Sequence, residues 1–123
     1  MNEKRFAVLV PLILQQDEVQ VLLMKRPERE TDPYSGQVCF PGGAYEKEDC
    51  GMLDCALRES AEELGIPAES VELIAELDWQ QTGLRHAVKP YVGWIKSPLK
   101  LKPNPAEVDK VLAEMHAAGP TDS

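Results

Sequence analysis

Apolar residues in the first quarter of the chain form two runs that predict a β-hairpin. Phe6–Leu14 predicts a first strand, and Val19–Met24 predicts a second strand after a short polar turn. Pro11 interrupts the first run. Because proline has no backbone N–H to donate to a sheet, we expect this strand to lie at a sheet edge or to be broken at Pro11.

The rest of the pattern predicts two helices and three short strands. Small and apolar residues repeat at helical spacing over Met52–Leu64, and Gly65 then provides a C-cap. A second helix is predicted from Asn104, a favourable N-cap, to Gly119, because its apolar residues fall at positions i, i+3, i+4 and i+7. The three strands are Gln37–Phe40, which Pro41-Gly42-Gly43 should end, Val71–Leu77 with its apolar residues on one side, and Val88–Ile95.

This mixture of elements predicts the fold class. A hairpin next to isolated strands and helices favours a mixed β-sheet flanked by helices, an α/β/α sandwich of the α+β class. Polar segments over Lys25–Ser35 and Lys96–Pro105 are predicted to be loops. The length of 123 residues predicts one domain over residues 1–123.

Charge and composition exclude several classes of protein. Acidic residues number 21 and basic residues 13, for a net charge of −8, which disfavours a generic nucleic-acid binder because that class needs a basic surface. No apolar run approaches the ~20 residues that span a bilayer, and we interpret Phe6–Leu14 as a strand, not a signal peptide. Three cysteines without a CxxC pair disfavour disulfides and a zinc site, so we predict a cytoplasmic protein.

The candidate chemistry lies on the first predicted helix. Glu59, Glu62 and Glu63 fall on one side of it, roughly opposite the apolar stripe, and Arg58 can reach Glu62 one turn away. Three neighbouring carboxylates repel one another, and a hard divalent cation such as Mg²⁺ offsets that repulsion because it prefers carboxylate oxygens. A solvated acidic face is the alternative. The upstream Gly42-Gly43 pair favours the metal, because glycine lets the backbone approach an ion or a bound anion closely.

The segment from Gly43 to Ile66 resembles the signature of the Nudix hydrolases, GX5EX7REUXEEXGU with U aliphatic. The second half fits through its arginine, glutamates and glycine, with Ser60 where an aliphatic residue is usual. The first half departs, because Asp49 stands in place of the first glutamate and eight residues, not seven, separate it from Arg58.

The longer spacing resembles one branch of that family, the coenzyme A pyrophosphatases. Leu22-Leu23-Met24-Lys25-Arg26 and Gly36–Gly43 are similar to the LLTxR and GxVxFPGG blocks of this branch, and the likeness extends from Phe6 to Val108. Asp32 and Tyr34 stand where the branch commonly has arginine and histidine. The C-terminus is shorter than is usual in the branch, and we expect it to affect the substrate pocket or to require a partner subunit.

The resemblance implies a metal-dependent hydrolase that cleaves the diphosphate linkage of a nucleoside diphosphate derivative, with coenzyme A as the first candidate substrate. It implies Mg²⁺ or Mn²⁺ at Glu59, Glu62 and Glu63 and substrate contacts from Arg26, Gly42 and Gly43. The catalytic residues it implies are Glu59, Glu63 and Arg58. The general base stays open between Glu59, Glu76 and Glu107.

Other interpretations of the resemblance, with another substrate or without catalysis, stay open. The substrate can instead be ADP-ribose, a nucleotide sugar, a dinucleotide or a nucleoside triphosphate, or the chain can be a non-catalytic nucleotide-binding module, since fold alone does not fix function. The expected partner is the small-molecule substrate, with neither nucleic acid nor membrane. An N-terminal edge strand would also favour a homodimer.

Overall fold

The computed structural model describes residues 4–15, 17–27, 36–82, 85–96, 101–105 and 110–115. Within these residues, eight strands form one mixed sheet and one α-helix packs on it, as predicted for the fold class. The elements in chain order are β1 (Lys4–Gln15), β2 (Glu18–Lys25), β3 (Val38–Cys39), β4 (Gly42–Ala44), α1 (Met52–Leu64), β5 (Val71–Glu76), β6 (Gln80–Gln81), β7 (His86–Ile95) and β8 (Lys110–Met115).

Strand β1 lies in the middle of the sheet. The main path of hydrogen-bonded strands is β3-β2-β1-β7-β5. Strand β1 runs antiparallel to β2, as the hairpin prediction requires, and parallel to β7 over Lys4–Leu12. On its other side, Phe6–Val8 pair with β4 and Leu12–Gln15 pair with β2. This arrangement places the two glycines of β4 beside the central strand.

The prediction that Pro11 marks an edge or a break in β1 is wrong. Pro11 is buried in a continuous strand, opposite Gly93 of β7. The backbone N–H of Leu9 points away from β7, to the carbonyl of Pro41, and N–H groups alternate along a strand, so position 11 faces that same side. There the pairing of β1 changes from β4 to β2, so the N–H that proline lacks is not needed.

Helix α1 has the predicted bounds and packs on one face of the sheet. Its buried face includes Cys55, Ala56 and Leu64, which form the core with Ala7 and Leu9 of β1. Gly65 ends the helix in the left-handed conformation at φ 74°, where its N–H donates to the carbonyl of Ala61. The prediction of the helix and of its cap is therefore confirmed.

The second predicted helix is wrong where the structure describes it. Lys110–Met115 is strand β8, which pairs antiparallel with β2 from Gln20 to Lys25. A short apolar run fits a strand as well as a helix, and pairing with β2 supplies backbone hydrogen bonds that a free helix end lacks. Asn104 and Pro105, at the predicted N-terminus, are described and are not helical, whereas residues 106–109 and the predicted end at Gly119 lie outside the described ranges.

Two other predictions are corrected by the sheet. Gly42 and Gly43 follow β3 as predicted, yet they form strand β4 instead of a turn. In β5 the expected apolar side is not kept, because the register shifts between Leu73 and Ala75, and Leu73 and Leu77 are exposed. Among the described residues, no helix is long and apolar enough to cross a membrane.

Candidate active site

One side of the Arg58 guanidinium group binds the buried carboxylate of Asp49. Its Nε donates to Asp49 Oδ1 at 2.7 Å and its Nη2 donates to Asp49 Oδ2 at 3.2 Å, a two-point contact between planar groups. Asp49 also accepts a hydrogen bond from the backbone N–H of Glu46 at 2.9 Å. The hydrogen bond from Arg58, followed by that from Glu46, lowers the pKa of Asp49 below its usual value. The pair fixes the plane of the guanidinium group.

The opposite side of the Arg58 guanidinium meets the predicted acidic cluster. Its Nη1 lies 3.1 Å from Glu59 Oε2 and 3.3 Å from Glu62 Oε2, the second being the contact that helical spacing predicts. Its Nη2 also donates to the carbonyl of Ala44 at 3.3 Å. The hydrogen bond with Asp49 is the main cause that raises the pKa of Arg58. A permanent cation therefore stands between two carboxylates that would otherwise repel each other.

Two of the three glutamates lie against the glycine strand β4. The backbone N–H of Gly42 donates to Glu63 Oε1 at 2.9 Å, and the side chain of Glu63 is buried. A Cβ at Gly43 would lie 2.6 Å from Glu59 Oε2, so the carboxylate of Glu59 occupies the space that any larger residue would fill. Gly43 is therefore required by the close approach of the Glu59 side chain from α1, whereas Gly42 is required by the close approach of β1, because a Cβ there would lie 2.7 Å from the Cα of Val8.

The prediction that the acidic side of α1 lies opposite its apolar stripe is wrong for Glu63. Glu63 is 3% exposed and lies between the helix and the sheet, whereas the side chain of Glu62 is 50% exposed. Hydrophobic periodicity along α1 predicts that its charged residues face the solvent. The approach of β4, with the backbone N–H of Gly42 directed at Glu63, supplies a hydrogen bond that offsets the cost of burying this carboxylate.

The donor chemistry of this cluster fits a hard divalent cation. Carboxylate oxygens of Glu59 and Glu62 converge on one guanidinium nitrogen, which shows that the two side chains can serve a single positive charge. Each carboxylate also has about four acceptor sites, so the bond from Gly42 does not exhaust Glu63. Within the described residues, however, no three Asp, Glu, His or Cys side chains are already arranged around a metal position.

A cavity of about 370 Å³ opens beside the glycine strand. Gly42, Gly43 and Arg26 line it, so the three substrate-binding residues predicted from the sequence come together. Its other lining residues include aromatic and aliphatic side chains from β1 and β7 and from the residues next to β3, namely Phe6, Val8, Phe40 and Val88. The volume lies within the range of small-molecule sites.

Glu76, the second candidate base, lies on β5, and its Oε1 pairs with Lys89 Nζ at 3.2 Å. Glu107, the third candidate base, lies outside the described residues.

The role of Asp49 is not predicted by the sequence, in which this residue stands out only as a departure from the signature. The side chain of Asp49 is shorter than that of the glutamate in the signature, and one more residue separates it from Arg58. The two side chains nevertheless pair. Ser60, the other departure, is buried and its hydroxyl donates to the carbonyl of Ala56 at 2.8 Å, so a polar residue is satisfied at an apolar position.

The cysteines behave mainly as small apolar residues at this site. Cys55 is fully buried under β4, with its Sγ 3.6 Å from the carbonyl of Gly43, and burial raises its pKa to about 11. Burial also raises the pKa of Cys39, which lines the cavity. All three cysteines are free.

The chain has relatives among known proteins. The family model described as the NUDIX domain matches residues 3–118. The uncharacterized Nudix hydrolase NudL of Photorhabdus laumondii is 36% identical over 110 residues, which are 89% of this chain and 58% of that protein. The chain spans little more than half the length of the curated relatives it matches.

Solved structures share the fold at low sequence identity. A C. elegans Ap4A hydrolase binary complex superposes with a TM-score of 0.74 at 18% identity, covering 91% of this chain and 80% of that one. The NUDIX domain of Shewanella oneidensis NrtR, complexed with ADP ribose, gives a TM-score of 0.72 at 17% identity, covering 94% of this chain and 74% of that one.

Asp49→Asn should reduce the loss of stability in acid. Because the pKa of Asp49 is lowered in the folded protein, this carboxylate stabilises the fold above the unfolded-state pKa, and that contribution is lost as the pH falls through the folded-state value. The difference in unfolding free energy between pH 6 and pH 3, measured by urea titration, should therefore be smaller in Asp49→Asn than in the wild type. Asp78→Asn, at an exposed position, is the matched control. Equal acid losses in wild type and Asp49→Asn would contradict the assignment.

The two glycines of β4 should differ in their tolerance of alanine. A Cβ at Gly42 would lie 2.7 Å from the Cα of Val8, so backbone must move and Gly42→Ala should lose about 1–3 kcal/mol of unfolding free energy. The three atoms nearest to a Cβ at Gly43 all belong to the end of the Glu59 side chain, which can shift more easily than backbone, so Gly43→Ala should lose less. Urea titration of both variants tests this order, and equal losses would contradict it.

Proposed function

The chain belongs to the Nudix family, and from that premise we propose that it is a metal-dependent pyrophosphohydrolase that cleaves the diphosphate linkage of a nucleoside diphosphate derivative. The single observation that carries the proposal is the docking of Glu59 and Glu63 against Gly42 and Gly43 of β4, the two glycines that also line the cavity. The carboxylates of Glu59 and Glu63, the glycine backbone of β4 and a cavity of small-molecule size thus lie next to one another. A purely structural acidic helix needs neither the cavity nor the glycines.

Charge makes a divalent cation necessary for this reaction. The substrate class is polyanionic and the chain has a net charge of −8, so binding at the glutamates requires local positive charge. Mg²⁺ or Mn²⁺ at Glu59, Glu62 and Glu63 would neutralise the attacked phosphoryl group and lower the pKa of a bound water. Support for this set is the convergence of Glu59 and Glu62 on one cationic atom and the acceptor capacity of Glu63.

The side chains around the cluster have distinct tasks in this proposal. Asp49 and Arg58 fix the carboxylate of Glu59, which is our choice for the base that takes the proton of the attacking water. Glu76 is less suited because its carboxylate is paired with Lys89. Arg26, in the wall of the cavity, provides a guanidinium group that can bind a phosphate oxygen at two points.

Coenzyme A is the first candidate substrate within this class. Its support is the similarity of the segments before β4 and of the spacing before α1 to the coenzyme A pyrophosphatase branch. ADP-ribose and dinucleotides are the next candidates, because structural neighbours are a domain complexed with ADP ribose and an Ap4A hydrolase.

Location and assembly belong to the same proposal. Three free cysteines support the cytoplasm, where thiols stay reduced. Strand β1 is an interior strand, so it offers no N-terminal edge for a homodimer, and a homodimer stays a prediction without that support.

Glu59→Gln and Glu63→Gln should each lower Mg²⁺-dependent hydrolysis by at least ~100-fold. Both changes keep the size of the side chain and remove its charge, and the amide oxygen that Glu63→Gln introduces can still accept from the N–H of Gly42. Rates are measured by phosphate release with a coupled phosphatase. A chelator should abolish the activity of the wild type, and added Mg²⁺ or Mn²⁺ should restore it.

Glu69→Gln provides the matched control for charge removal. Glu69 is an exposed glutamate just after α1, and its variant should keep the wild-type rate. Unchanged rates in both Glu59→Gln and Glu63→Gln, with the fold intact by circular dichroism, would overturn the metal-site assignment.

A substrate panel should show hydrolysis of coenzyme A into two phosphate-bearing products. The panel contains coenzyme A, ADP-ribose, a dinucleotide and a nucleoside triphosphate, each with Mg²⁺ or Mn²⁺, and products are identified by mass. Activity on ADP-ribose without activity on coenzyme A would reject the branch and keep the chemistry. A panel without any metal-dependent product would reject the proposed function.

A further inference from the structure

Strand β5 forms an open edge of the sheet, away from the acidic site. The path of hydrogen-bonded strands ends at β5, and among the described residues β5 pairs only with β7. The short strand β6 continues the same edge, because it also pairs with β7. Strands β7 and β1 separate β5 from the glycines of β4, and β5 contributes none of the described residues that line the cavity.

The backbone groups of β5 alternate between β7 and the open edge. The N–H of Lys96 donates to the carbonyl of Ser70 at 2.9 Å, which directs residue 70 to β7. The register with β7 then continues without a shift as far as Leu73. Because this direction alternates along an antiparallel strand, the N–H and C=O groups of Val71 and Leu73 point to the open edge. They are hydrogen-bonding groups that β7 does not use.

Large apolar side chains are concentrated along this edge. Four of them are 43–54% exposed, namely Leu73, Ile74, Leu77 and Trp79. Ile74 has no register partner in β7, because the register shifts there. Single exposed apolar residues are ordinary on a protein surface, whereas a cluster of them beside an open strand edge is typical of an interaction site.

The same segment is acidic. Residues 68–82 contain no lysine or arginine and four exposed acidic residues, Glu69, Glu72, Glu76 and Asp78. Two lysines lie nearby on the β7 side, Lys89, which pairs with Glu76 at 3.2 Å, and Lys96, beside Ser70. The edge therefore combines apolar surface with an excess of negative charge.

This charge selects between two occupants of the edge. In a pair formed with β5 of a second copy of the chain, the acidic residues of both copies would come together, and like charges across a strand pair are destabilising. A strand with basic side chains instead gains an opposite charge at each of these positions. Charge complementarity thus favours a different, basic partner.

We propose that β5 is the docking edge for an extended segment of a partner protein that alternates apolar residues with lysine or arginine. The backbone of this segment pairs with Val71 and Leu73, in the way that peptides add a strand to the edge of a sheet. Neighbouring residues of a strand point to opposite faces, so Glu72 and Leu73 lie on opposite faces of β5. A segment that alternates basic and apolar side chains therefore matches both residues.

Peptide binding to the whole chain tests the proposal. Isothermal titration calorimetry compares three peptides of about seven residues, the length of a short strand: one alternating valine and lysine, the same peptide with alternate backbone nitrogens methylated, and one alternating valine and glutamate. We expect the valine–lysine peptide to bind, the methylated peptide to bind about 10-fold more weakly because it lacks the N–H donors, and the valine–glutamate peptide not to bind. Hydrogen exchange at the amide of Leu73 should slow only with the first peptide.

Two variants at exposed positions of β5 separate charge from apolar contact. Glu72→Lys and Ile74→Ser should each weaken binding of the valine–lysine peptide several-fold, and their folds should stay intact by circular dichroism. Glu18→Lys is the matched control for the charge change, because Glu18 is exposed at the start of β2, on the other side of β1 from β7 and β5, and this variant should bind as the wild type does.

Four results would overturn the assignment of this edge. They are equal binding of the methylated peptide, equal binding of the valine–glutamate peptide, wild-type affinity in both β5 variants, and a dimer of the chain in sedimentation that Ile74→Ser converts to a monomer. The last result would assign the edge to a second copy of the chain. Hydrolysis in the substrate panel is independent of all four.

Discussion

The guanidinium group of Arg58 lies within 4.0 Å of four carboxylates, those of Glu46, Asp49, Glu59 and Glu62. Asp49 supplies the fixed side of this arrangement, because it is buried and binds Arg58 at two points. Arg58 then holds Glu59 and Glu62 beside each other at the edge of α1. Without this central cation, the acidic face of the helix would be a set of mutually repelling side chains with freely rotating ends.

The second constraint is the absence of a side chain at the first two residues of β4, Gly42 and Gly43. Gly42 lies so close to β1 that a Cβ would meet the backbone of Val8, and Gly43 leaves room for the carboxylate of Glu59. The same strand borders the cavity, whose described lining contains Arg26 and no carboxylate. The acidic residues of the site are instead on α1 and on the segment just before it, which carries Glu46 and Asp49. Under the proposed function, this separation of charge would suit a chain of net charge −8 to an anionic substrate once a divalent cation binds at the acidic edge.

The sequence by itself determined the elements whose signals are local. Helix α1 and its end at Gly65, the β1–β2 hairpin, and the grouping of Arg58 with Glu59 and Glu62 all follow from spacing of less than about two helical turns. The signature also placed Gly42 and Gly43 near the glutamates. In the helix, the hairpin and the Arg58 group the interacting residues are close along the chain, so periodicity and capping chemistry specify them.

Only the tertiary structure decided the features that depend on pairing between distant segments. Pro11 is tolerated inside the sheet because β1 changes partners there, and Lys110–Met115 is a strand because β2 offers it an edge. Glu63 is buried, against its hydropathy, because an N–H from Gly42, 21 residues away, satisfies it. Asp49 finds Arg58 despite the irregular spacing before α1. Hydrogen bonds and burial between remote residues carry no period in the sequence, and the packed sheet therefore determines them.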